Sequence, residues 1–176
     1  IQRVSARDKI LREVVSNSLA HRADELLGEE NYAEFGLDFP LLLKILDAND
    51  NLSVQVHPDD DYAQKHALGN GKNEMWYVLQ ADKDAQIFNG FNKNMTKAEI
   101  INRVRDNNLV EVLNCTNAEK GDLFYIPAGL VHSLGKGCLV AEVQQSSDTT
   151  YRMYDWGRTD KDGKARTLHL EQALQV

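Results

Sequence analysis

Apolar residues recur along this chain first at helical and then at strand spacing, and the change falls near residue 38. Val4, Ile10, Leu11, Val14 and Val15, followed by Leu19, Ala23, Leu26 and Leu27, share a helix-like face that Gly28 is placed to stop. Residues 39–46 form a short apolar run that predicts a buried strand. The polar residues 47–51 supply a turn into a second strand, and the two are expected to pair. That second strand, Ser53-Val54-Gln55-Val56-His57, alternates with period two, so Gln55 and His57 share one face and Val54 and Val56 the other.

Further along, residues 58–71 are polar with an acidic start and predict a short helix and loop before the strand-like segment 74–79. Residues 81–84 turn the chain into a strand at 85–88. In Thr96-Lys97-Ala98-Glu99 the hydroxyl and the carboxylate can each satisfy an orphan backbone N–H, a capping box that starts a helix reaching about Asn107. Gly135-Lys136-Gly137 leads into residues 138–145, whose alternation sets Glu142 and Gln144 opposite Leu139, Ala141 and Val143, as suits a strand lining a polar cavity. Residues 160–163 form a turn, and 167–174 predict a last strand or short helix. The pattern describes one mainly β domain over 1–176, helical over 1–38 and built of strands over 39–176, with a few peripheral helices and no internal repeat.

Length and composition narrow the classes. A chain of 176 residues with 42% hydrophobic content is long enough for one core, burying roughly 70% of its extended surface. No stretch approaches the about 18 apolar residues of a membrane span, and the first residues lack a basic-then-apolar leader, so a soluble, cytoplasmic protein is expected. Cys115 and Cys138 match no paired metal motif and are expected to be buried, reduced thiols. A net charge of −7 argues against a nucleic-acid surface.

The stretch from Gly121 to His132 carries the first sign of chemistry. Gly121-Asp122 opens a hairpin corner, Leu123-Phe124-Tyr125-Ile126 suits a half-buried strand, and Pro127-Ala128-Gly129 forces a turn that aims His132 inward. This spacing of Gly, Pro, Gly and His resembles the second half-motif of the cupin superfamily, and Gln55, His57 and Glu74 resemble its first half in altered form. The resemblance implies an antiparallel β-barrel of the jelly-roll type holding a divalent metal near one open end.

The words around these residues narrow the family. Gln55-Val56-His57-Pro58-Asp59-Asp60, Gly71-Lys72-Asn73-Glu74-Met75-Trp76-Tyr77, Ile126-Pro127-Ala128-Gly129 with His132, and residues 144–152 ending in Thr150-Tyr151-Arg152 are similar, in this order, to type I mannose-6-phosphate isomerase (phosphomannose isomerase), particularly its short bacterial form. The resemblance runs from about Phe39 to the end and implies an isomerase of mannose 6-phosphate and fructose 6-phosphate. It places one zinc ion on Gln55, His57, Glu74 and His132, a mixed nitrogen and oxygen set without thiolate that suits Zn²⁺. It also puts Arg152 and Lys72 on the family's active-site arginine and lysine.

A negative protein must meet a phosphorylated substrate with a local positive pocket, which Lys72 and Arg152 would supply and Lys136, beside the His132 turn, could extend. Glu142 is the candidate for proton transfer or hydroxyl positioning, and the identity of the base stays open. Taken without the resemblance, Lys72 and Arg152 read better as solvated surface charges or ion pairs, and Lys136 equally as part of an ordinary exposed hairpin. Family members are longer at both ends, so the chain is read as lacking flanking parts. That leaves an alternative, a non-catalytic sugar-phosphate-binding cupin, and a further one, an iron dioxygenase, since two histidines and a carboxylate also suit Fe(II).

Overall fold

The computed structural model describes residues 23–37 and 39–176, and the chain divides into two compact units, Ile1–Leu41 and Leu42–Val176. In the first unit, helix α1 (Ala23–Leu27) is followed at once by α2 (Glu29–Phe35). Gly28 interrupts rather than ends the helical run. With φ at 84° it takes a left-handed step that a side chain would resist, and the chain re-enters a helix until Gly36, at φ 61°, closes it. The helical face expected from Val4 to Leu19 lies outside the described residues.

The second unit carries the sheets. The strands are β1 (Leu41–Asp47), β2 (Val54–Val56), β3 (Glu74–Ala81), β4 (Gln86–Phe91), β5 (Leu113–Asn117), β6 (Leu123–Ile126), β7 (His132–Leu134), β8 (Cys138–Gln145) and β9 (Tyr151–Tyr154). They form a four-stranded sheet in the order β1-β8-β3-β6 and a five-stranded sheet in the order β5-β4-β7-β2-β9, antiparallel throughout the paired registers. This is a jelly-roll sandwich of the expected cupin type.

Two cores follow from strand alternation. Trp76, Val78, Ile126 and Val140 of one sheet meet Ile87 and Leu134 of the other and fill the space between them. Val54, Val56, Phe88 and Met153 point the other way, under helix α4 (Lys97–Arg105), a 3-10 turn at Leu109–Val112 and helix α5 (Leu170–Ala173). Because Val54 and Val56 are drawn into this second core, Gln55 is turned between the sheets. The predicted capping box is present, with Thr96 and Glu99 satisfying each other's backbone N–H groups, and the terminal segment is a helix.

Three expectations are corrected. β1 does not pair with β2: it lies at the edge of the four-stranded sheet beside β8, and the connector after it crosses to the other sheet. Ala48 N–H still donates to Cys138, whereas Leu52 N–H already donates to Leu134 on β7. Nor is β1 buried, since Leu41, Leu43 and Ile45 are 50%, 66% and 61% exposed on its outer face. Of the two cysteines only Cys138 is buried; Cys115 is exposed on β5 at the sheet edge, and both are free thiols. Among the described residues no helix is long and apolar enough to cross a membrane.

Candidate metal centre

The five-stranded sheet brings one row of polar side chains to the interior. Gln55 on β2 pairs with His132 on β7 and with Arg152 on β9, and His132 pairs with Asn89 on β4. Residues directly opposite in an antiparallel pair point to the same side, so these four share a face. His57 follows β2 immediately and returns to that side. From the facing sheet comes Glu74, the first residue of β3.

His57, Glu74 and His132 are all buried, and their donor atoms lie within 4.8 Å of one another. Glu74 Oε1 is 3.4 Å from His57 Nε2, and Glu74 Oε2 is 3.5 Å from His132 Nε2. The rings are fixed from behind: His57 Nδ1 donates to the Thr149 carbonyl at 3.0 Å and His132 Nδ1 to the Leu130 carbonyl at 2.8 Å. A carbonyl only accepts, so each Nδ1 carries a proton and each Nε2 faces the centre, the usual orientation of metal-binding imidazoles. The Gln55 amide reaches His132 Nε2 at 3.3 Å, and half a turn about its last bond brings its oxygen to the same point.

Charge at the centre is tuned for a cation. Burial would raise the Glu74 pKa, but His57, His132 and Lys72 outweigh it and hold it down at about 2. Burial and the neighbouring His57 push His132 down to about 4, so at neutral pH it is uncharged. Both Glu74 oxygens are buried without an aligned hydrogen-bond donor, although the Lys72 ammonium stands 2.8 Å from Oε1 as an ion pair and 3.3 Å from His57 Nε2. With Lys72 at Oε1, Oε2 is left without a donor, and a buried carboxylate oxygen in that state is costly unless something positive satisfies it. Two aimed imidazoles, that carboxylate and a nearby amide fit a divalent metal ion.

Around the centre, buried Glu142 accepts Trp76 Nε1–H and the Lys44 ammonium, each at 3.0 Å. Lys44 also donates to Gln144, which pairs with Glu74 across β8 and β3. Sequence reasoning passed over Lys44; the available signal was a single cation inside the apolar run 39–46, on the inward parity of β1. Arg152 faces the centre beside Gln55, its Nη1 donating to the Thr167 carbonyl at 2.9 Å and its buried Nε without a partner. Burial pulls its guanidinium pKa below the usual value.

Lys136 is not brought to the centre. It is exposed in the turn after β7, its N–H bound to the Asn51 side chain, four residues or roughly 13 Å of strand from His132. His66 is exposed and stacks on Tyr62, and His169 accepts the Arg152 backbone N–H. His21 lies outside the described residues. Trp76 is buried with its edge against the His132 ring, and Trp156 donates to Leu52.

Two facing antiparallel sheets, with a His-Glu-His cluster between them that could hold a metal ion, define a protein of the cupin type. The sequence narrows this: residues 2–83 match the family described as Phosphomannose isomerase type I, catalytic domain. The chain is similar to the type I phosphomannose isomerases. It is 50% identical over 139 residues to the mannose-6-phosphate isomerase ManA of Bacillus subtilis, across 78% of this chain and 44% of that protein. It is 49% identical over 138 residues to the mannose-6-phosphate isomerase of Streptococcus mutans, across 78% and 43%. The crystal structure of the mannose 6-phosphate isomerase from Bacillus subtilis superimposes with a TM-score of 0.76 at 37% identity, over 89% of this chain and 50% of that one. The chain thus spans about half the length of the relatives it matches.

Proposed function

We propose that this chain carries the catalytic centre of a zinc-dependent mannose-6-phosphate isomerase, working on a cytoplasmic sugar phosphate. The observation that supports this most directly is the buried His57-Glu74-His132 cluster, in a chain about 50% identical over about 139 residues to proteins named for that activity. Gln55, His57, Glu74 and His132 would hold the ion. When bound, it would supply a fixed positive charge for the substrate oxygens on which negative charge grows.

Interconverting the aldose and ketose phosphates requires ring opening, removal of a proton beside the carbonyl and its return one carbon away through an enediol. The residues here divide that work. Arg152 presents a planar fork beside Gln55, suited to gripping phosphate or an enediolate, and the Thr167 carbonyl limits where it can swing. Lys72 adds a buried ammonium next to Glu74 that can neutralise an oxygen or exchange a proton with it. Glu142 is the candidate proton carrier: Trp76 fixes one oxygen, and Lys44 sets the charge at the other.

A coupled assay of the zinc-loaded chain tests the proposal. Turnover of mannose 6-phosphate is expected, and its absence in protein holding one zinc per chain would remove the enzymatic claim for this chain. Thermal stabilisation by the sugar phosphate without turnover would favour a binding module instead. Arg152→Ala should abolish turnover while zinc content stays at one per chain; persisting activity would reassign Arg152.

A further inference from the structure

The three metal-directed side chains come from separate segments, and one amide ties those segments together. Asn73 stands between Lys72 and Glu74 with its side chain turned away from the centre. Its Oδ1 accepts the Ala128 N–H at 2.9 Å, in the turn that leads to His132. Its Nδ2 donates to Gln145 Oε1 at 2.6 Å, and that same oxygen takes the backbone N–H of Asn73 at 2.8 Å. Gln145 is engaged at both ends, since its Nε2 donates to Asp60 at 3.2 and 3.3 Å.

Asp60 closes the circuit on the His57 side. It begins helix α3 (Asp60–Lys65), three residues after His57, and accepts Gly71 N–H at 2.8 Å. Lys72 N–H donates to the Pro58 carbonyl, and Gly129 N–H donates to the carbonyl of His57 itself, each at 2.9 Å. The crossing is close enough that a Cβ on Gly71 would meet Asp60 N at 2.4 Å. The approach to Glu74 is therefore clamped to the exit from His57 on one side and to the turn before His132 on the other.

We infer that Asn73 is a positioning residue of the metal centre, its side-chain amide fixing the spacing between Glu74 and the two imidazoles. The inference rests on the reading that these three residues bind a divalent ion. Hydrogen bonds made directly to a metal ligand set its direction, and losing one typically weakens metal binding about 10–100-fold; Asn73 acts one step further out, through the segments that carry the ligands. A ligand displaced by a few tenths of an ångström still folds into place but no longer meets the ion at bonding distance.

The test reads metal binding without turnover. The ion-free chain is titrated with zinc against a chromophoric chelator, and cobalt substitution reports coordination geometry through its visible absorption. Asn73→Ala is expected to weaken zinc at least tenfold and to alter the cobalt spectrum. Thr96→Ala, a helix cap in α4 of similar cost to stability, should leave both unchanged. Asn73→Asp keeps the acceptor for Ala128 N–H but loses the donor to Gln145, so its affinity should fall between wild type and Asn73→Ala. Zinc affinity in Asn73→Ala within twofold of wild type, or an equal loss in Thr96→Ala, overturns the inference. Should Asn73→Ala not fold, undiminished affinity in Asn73→Asp overturns it instead. A wild-type chain that binds no zinc removes the centre itself, a result distinct from a centre indifferent to Asn73.

Discussion

Glu142 shows how an inward carboxylate is made usable. Its two oxygens are assigned to different partners, the Trp76 indole and the Lys44 ammonium, so its orientation is set before any ligand arrives. Glu142→Gln keeps the shape and the Trp76 bond but removes the carboxylate proposed to carry the proton. It should lower kcat by about 10²–10⁴-fold with zinc content unchanged, measured by coupled assay and elemental analysis. His57, Glu74 and His132 were legible in the sequence because each stands at a fixed offset from turn residues: His57 before Pro58, Glu74 after Gly71, His132 after Pro127-Ala128-Gly129. Lys44 was not, because a side chain's partner across a sandwich leaves no trace in its own strand. Lys136 was misplaced for the converse reason: nearness in sequence to His132 becomes separation once the intervening residues are extended.

Among the elements, the β9-to-α5 connection shows how a charged loop holds its shape. Asp155, just past β9, is buried between Arg166 and Arg158, and Asp160 closes the turn by accepting the N–H groups of Asp162 and Lys164. Burial would raise the Asp155 pKa, but the two guanidiniums prevail and hold it below the usual carboxylate value. A lowered folded pKa means that the stabilisation is fully present above the unfolded value of about 3.9 and is lost as pH falls through the folded one. The stability difference between wild type and Asp155→Asn, read by urea unfolding, should therefore be constant from pH 5 to 8 and shrink below pH 4. In the core, Leu134→Ala should cost about 2–5 kcal/mol by the same method, since Leu134 is fully buried between the sheets. Strand positions were readable from alternation, which encodes a face. It does not encode a neighbour, and so the pairing of β1 with β8 rather than β2 emerged only from the fold.

At the scale of the whole molecule, the centre joins two sheets that also meet through apolar packing. Gln55 and His132 belong to one sheet and Glu74 to the other, so a bound ion bridges them. Binding to the native state alone stabilises it by mass action, about 4 kcal/mol when free metal exceeds its dissociation constant a thousandfold. Chelation should accordingly lower the melting temperature of the zinc-loaded protein, and readdition of zinc should restore it. The carbonyls of Thr149 and Leu130, which already hold the Nδ1 protons of the two rings, carry a thermodynamic consequence. His132 is neutral well above pH 4 and its Nε2 is bare, so capturing an ion near pH 7 requires no imidazole there to shed hydrogen. The heat of zinc uptake attributable to His132 should thus be the same in buffers of high and low ionisation enthalpy.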